Sequence, residues 1–151
     1  MNAADLRNTL AAAGIKPDAV LLLDAGYCLP TANWVHGVFD GALDKVLEEL
    51  GLTTWAEEKW DCDKFSRLAW AYAGLCWAKT SDAPNTGLAF GTVCYASRAL
   101  MGGHCINVFV HRDRDGQAQV QFVEPQKQLG GRLVEVKLTP EEIGSIWSII
   151  F

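Results

Sequence analysis

The periodicity of this chain switches once along its length. From Cys62, apolar residues recur at Phe65, Ala69, Tyr72 and Cys76, which is the spacing of one buried face of an α-helix. After the turn-rich stretch "TSDAPNTG" (80–87) the pattern becomes that of strands. "LAFGTVCYAS" (88–97) is β-branched and aromatic, and "GHCINVFVH" (103–111) and "QVQFVEP" (119–125) read as two strands joined by "RDRDG". "RLVEVKL" (132–138) alternates cleanly, and "SIWSIIF" (145–151) is apolar enough for a last strand or a docked segment. Between them, Thr139, Pro140 and Glu142 spell a capping box at the start of a short helix.

The first half reads as helical. Residues 3–13 form a short helix ended by Gly14 and Pro17, and residues 18–30 fit either helix or a buried extended segment. Thr31 caps a helix that runs to Leu50, with Gly51 at its C-terminal cap, and "TTWAEEKW" (53–60) forms a short helix or turn. Helices first and strands second give an α+β expectation: one domain over residues 1–151, with the cysteine helix packed on an antiparallel sheet.

Composition narrows the function. Half the residues are hydrophobic and 21% are charged, as in a globular chain. The net charge is −5 and the basic residues are scattered, which argues against a nucleic-acid partner. The stretch "AVLLLDAGYCL" (19–29) is broken by Asp24 and is shorter than the ~20 residues of a membrane span. The N-terminus lacks the pattern of a signal peptide, so cytoplasmic synthesis is expected, with a virion address as an alternative. Five cysteines without a C-x-x-C pair favour free, mostly buried thiols over a disulfide framework or a zinc site.

One thiol stands apart. Cys62 lies between Asp61 and Asp63 at the start of the helix, in "WDCDKFS" (60–66). Adjacent carboxylates oppose thiol ionisation, whereas the positive end of a helix dipole favours it. A nucleophilic cysteine needs a histidine partner and a group that orients it. Of His36, His104 and His111, His104 is best placed, because it opens a strand after two glycines. Glu124, Gln126 and Asn107 are the candidate orienting groups. A hairpin closed by the three-residue loop Arg114-Asp115-Gly116 sets Glu124 opposite Ile106, diagonal to His104 and on its face. A two-residue loop sets it on the other face. Asp61 and Asp63 fit either calcium ligands or simple helix-start acids. Taken singly, Cys62 and His104 also fit plain core positions, and the tryptophans and tyrosines read as core.

This order of cysteine helix, histidine strand and carboxylate strand resembles the papain-like and transglutaminase-like cysteine peptidases. "YCLPT" (27–31), "WDCDKFS", "FG" (90–91), "GHCIN" (103–107) and "VEPQ" (123–126) are similar to the papain-like C-terminal domain of fungal chimerolectins and to small bacterial and phage proteins like it. The resemblance implies a papain-like fold and a thiol hydrolase acting on a peptide or protein substrate. Cys62 would be its nucleophile, His104 its base and Glu124 the orienting acid. It also implies calcium at Asp61 and Asp63, although Lys64 stands where that pattern has an acid. The alternative is a catalytically idle binding or structural module, such as a phage component.

Overall fold

The structure, a computed structural model, describes residues 1–52, 61–80, 86–126 and 133–151. The segment 53–60, expected as a short helix or turn, lies outside the described residues, as does most of the loop expected over 80–87. Helix α1 (Ala3–Ala12) starts at Asn2, whose side chain accepts the Asp5 N–H at 2.8 Å. It stops before Gly14, which takes a φ of +87°. A π-helical stretch, Trp34–Phe39, leads into α2 (Asp40–Glu49), and Thr31 Oγ1 accepts the Trp34 N–H at 3.1 Å. Helix α3 (Cys62–Ala78) carries the apolar stripe, and α4 (Pro140–Gly144) begins with the Thr139/Glu142 capping box.

The described residues also form eight strands: β1 (Val20–Leu21), β2 (Tyr27–Cys28), β3 (Gly87–Leu88), β4 (Phe90–Ser97), β5 (Gly102–Arg112), β6 (Ala118–Glu124), β7 (Val134–Val136) and β8 (Ser148–Ile150). Six form one sheet in the order β1-β8-β4-β5-β6-β7, while β2 and β3 pair separately and in parallel. The expected class, a papain-like α+β domain with an antiparallel sheet, is corrected here. The C-terminal segment inserts between β4 and β1, antiparallel to the first and parallel to the second, which makes the sheet mixed. The order of elements along the chain carries no information about that insertion.

The sheet separates two apolar layers. On one face, Leu6 and Leu10 of α1 pack with Val93, Ile106, Val108, Val110 and Phe122. On the other, Phe65, Ala69 and Ala73 of α3 and Phe39 and Leu43 pack with Phe90, Phe109 and Val123. Alternation along β5 produces this division, since successive side chains leave opposite faces.

Polar groups pin α3 to its face. Asn107 is fully buried, and its Nδ2 donates to the Ser66 carbonyl at 2.9 Å and the Gly91 carbonyl at 3.0 Å. Ser66 Oγ donates to the Ile106 carbonyl at 2.8 Å and also meets the Thr92 hydroxyl. One amide therefore ties helix α3, β4 and β5 at a single level.

The cysteine expectation is corrected too. Cys94 and Cys105 face each other across β4 and β5 with Cα atoms 4.2 Å apart and are joined as a disulfide. That separation is typical of the closer, non-hydrogen-bonded pair of an antiparallel ladder. Cys28, Cys62 and Cys76 are free.

Two outcomes follow from these contacts. Asn107→Leu removes both hydrogen bonds of the buried amide to helix and strand, so it should lower stability by about 1–3 kcal/mol. A urea midpoint equal to that of the parent would contradict this. Alkylation of the non-reduced, unfolded chain should mark the three free thiols, and all five only after reduction. Mass spectrometry that finds five adducts without reductant would rule out the disulfide.

Candidate functional site

The β5–β6 hairpin decides which side chains meet. Asp113 N–H donates to the Gln117 carbonyl at 2.9 Å, so the loop is Arg114-Asp115-Gly116, with Gly116 at φ +79°. The loop needs a left-handed residue at its last position, and glycine takes that conformation without strain. Asp113 Oδ1 also accepts the N–H groups of Asp115 and Gln117, at 2.9 and 2.8 Å. The register that results pairs Asn107 with Val123 and continues to Ile106 opposite Glu124. Glu124 then lies diagonal to His104 on the same face. The His104 Nε2–H donates to Glu124 Oε2 at 2.7 Å, while Glu124 Oε1 accepts the Gln126 N–H at 2.8 Å.

Tyr95 stands directly opposite His104 in the β4–β5 ladder, with the two rings edge to face at 5.9 Å. Burial first, and then the charges of Glu142, Glu124 and Cys62, push its phenol above the ordinary tyrosine range. In an apolar run of sequence Tyr95 reads as core. Its pairing with His104 follows only from the β4–β5 register, set by the short connection Arg98–Met101. A cavity of about 440 Å³ adjoins Tyr95, with Arg98, Lys137, Thr139 and Glu142 also in its wall. The Glu142 carboxyl is held below its usual range by the backbone N–H groups of Thr139 and Arg98.

Gln126, already a candidate orienting group, has a different position. Its Nε2 is buried and has no hydrogen-bond partner among the described residues. A buried donor left unpaired is costly, of the order of 1–3 kcal/mol.

Cys62 begins α3 and is half-buried. Strand parity puts His104 on the face of Ile106 and Val108, which α1 covers, whereas α3 covers the face of Asn107 and Phe109. The structure therefore joins His104 to Glu124, while Cys62 opens α3 close enough for its charge to act on Tyr95, the ladder partner of His104. Gly103 follows the parity of Asn107, and a Cβ built on it would meet the Trp147 ring at 3.3 Å. His36 meets Gln121 at 3.3 Å and His111 meets its neighbour's carbonyl, so neither belongs to this cluster.

The acids beside Cys62 have a local explanation. Asp61 has the extended backbone of a helix N-cap but makes no side-chain cap bond. Its Oδ1 instead accepts from Lys64 Nζ at 2.9 Å, and the same ammonium lies 3.7 Å from Asp63 Oδ1. Arg67 pairs with Asp63 at 3.3 Å. Lys64, the departure from the motif, thus supplies the cation that the two carboxylates need. Among the described residues no three His, Cys, Asp or Glu side chains converge as a metal cluster. A side-chain hydrogen bond with Asp63, and then the one from Lys64, hold Asp61 at about 2.

No family model matches this chain, and no curated protein matches it. Solved structures do. A PSL1a–E64 complex matches with a TM-score of 0.67 and 20% identity, over 100% of this chain and 51% of that one. Polyporus squamosus lectin bound to the human-type influenza-binding epitope Neu5Acα2-6Galβ1-4GlcNAc matches with a TM-score of 0.71 and 22% identity, over 100% of this chain and 49% of that one. The chain spans about half the length of these structures, and at this identity the likeness is one of fold. The papain-like and transglutaminase-like peptidase expectation is corrected by these matches, which lead to a fungal lectin. The expected thiol-hydrolase activity and its peptide or protein substrate are corrected on the same matches.

The Asp61 carboxyl gives a pH prediction. Its folded value is depressed from 3.8 to about 2, so its contribution to stability is present above about pH 4 and is lost as pH falls through about 2. In Lys64→Met the Asp61 midpoint should rise toward the ordinary value. Carboxyl carbon NMR shifts that titrate identically in both proteins would contradict the assignment.

Proposed function

We propose that this chain is a carbohydrate-binding module centred on His104, Glu124, Gln126 and Tyr95, with Cys62 at the edge of the site. The observation that carries the reading is the buried Gln126 Nε2, unpaired among the described residues, on the residue whose backbone N–H meets the carboxylate that fixes an imidazole. Sugar hydroxyls both donate and accept, and this cluster offers both complements. Gln126 donates, the Glu124 oxygens accept, and His104 Nδ1 accepts once Nε2–H is committed to Glu124. Support also comes from the lectin of like fold, which binds a glycan.

The electrostatics favour a neutral sugar. Glu124 and Glu142 both bear on Tyr95 and offset Arg98 and Lys137 in the cavity wall, so the site offers no net positive charge to an anionic sugar. The reading therefore commits to the uncharged Galβ1-4GlcNAc portion of the printed epitope rather than to its sialic acid. Calcium at Asp61 and Asp63 is a separate proposal, in which the ion displaces Lys64 and is bound more tightly by Lys64→Ala.

Titration calorimetry with Galβ1-4GlcNAc tests the function. Saturable binding is expected, at least as tight as that of the sialylated trisaccharide. Gln126→Leu should weaken it about tenfold or more by removing the donor. His104→Ala should also weaken it while leaving the fold intact by circular dichroism. Undiminished binding by both variants, or no binding of either glycan by the folded chain, would overturn the proposal.

A further inference from the structure

A second cavity, also of about 440 Å³, lies along the C-terminal half of α3. Trp70, Trp77, Phe90 and Phe151 supply its aromatic wall, and Leu23 and Asp24 form its rim. At 1.5 Å per residue, Trp70 lies about 12 Å along the helix from Cys62, and Trp77 about 22 Å, so this cavity is apart from the site above. Its aromatic wall is fixed from behind. Trp77 meets Trp34 edge to face at 5.3 Å, Trp34 stacks on Phe39 at 5.6 Å, and Phe39 meets Phe90 at 5.1 Å.

The charge of the wall is one-sided. Asp24 is its single charged side chain, and no lysine, arginine or histidine lines it among the described residues. Asp24 is exposed and forms no ion pair among the described residues, while its backbone N–H is anchored by the Tyr27 hydroxyl at 2.9 Å. A Cβ on Gly87 would run into the Asp24 carboxylate, so glycine there leaves room for the carboxylate beside the cavity.

We propose that this cavity is a binding site for an organic ammonium ion. The indole faces attract a cation through the ring quadrupole, the apolar rings take its methyl or methylene groups, and Asp24 neutralises its charge. A neutral apolar guest would gain the ring contacts alone, and an anion would face the carboxylate. The site is independent of the carbohydrate reading and survives its failure.

Choline and its uncharged isostere 3,3-dimethylbutan-1-ol are the probes, read by tryptophan fluorescence in the full chain. Choline should quench saturably, with an affinity about tenfold higher than the alcohol's, and Asp24→Asn should remove most of that difference. Asp24 is exposed, so the variant should fold, and Asp24→Lys should abolish choline binding while thermal unfolding stays cooperative. Equal affinities for the two probes, or a choline affinity unchanged in Asp24→Asn, would overturn the proposal. Absence of any choline response in the folded parent would do the same.

Discussion

The Asn107 side-chain amide is the contact on which the arrangement rests. It bonds at once to a carbonyl of α3 and a carbonyl of β4, from a strand that also carries His104. The surrounding contacts are apolar and non-directional, so they let a helix slide or rotate on the sheet. Two hydrogen bonds from a fully buried amide, with the Ser66 hydroxyl on the neighbouring carbonyl, allow one height and one rotation. The level of Cys62 relative to the strand ends is fixed by this clamp, one helical turn below.

A second constraint acts in the plane of the sheet. The left-handed glycine at position 116 selects the loop, the loop selects the register, and the register selects the partner of the imidazole. A one-residue change in that loop would turn Glu124 to the other face. That chain of causes was open to sequence reasoning because turn chemistry is local: a glycine after "RDRD" and a fixed count of residues back to His104. The α3 stripe, the capping box at Thr139 and the glycine stops at Gly14 and Gly51 were legible for the same reason.

What the sequence hid depends on contacts distant along the chain. The insertion of β8 between β1 and β4 makes the sheet mixed, and no property of "SIWSIIF" announces which strands it will part. Cys94 and Cys105 carry no motif, and become partners only once β4 and β5 are in register. Ser66 carries no sequence signal of its role, yet its hydroxyl bridges helix and sheet. Cys62 and His104 shared a family-like motif order, and only the β4–β5 register adds Tyr95 beside them. Motif order thus suggested a peptidase where the structural likeness is to a lectin. Lys64, the departure from the pattern, neutralises the acids that made the cysteine look unusual.

On the proposed function, the cluster built by the β5–β6 register receives an oxygen-rich ligand. Amide and side-chain NMR spectra recorded while Galβ1-4GlcNAc is added test it most directly. The largest shifts should fall at Gln126 Nε2–H, His104 and Tyr95, with the signals of Trp70 and Trp77 unmoved. Shifts confined to residues away from this cluster, or a spectrum unchanged at saturating sugar, would contradict it.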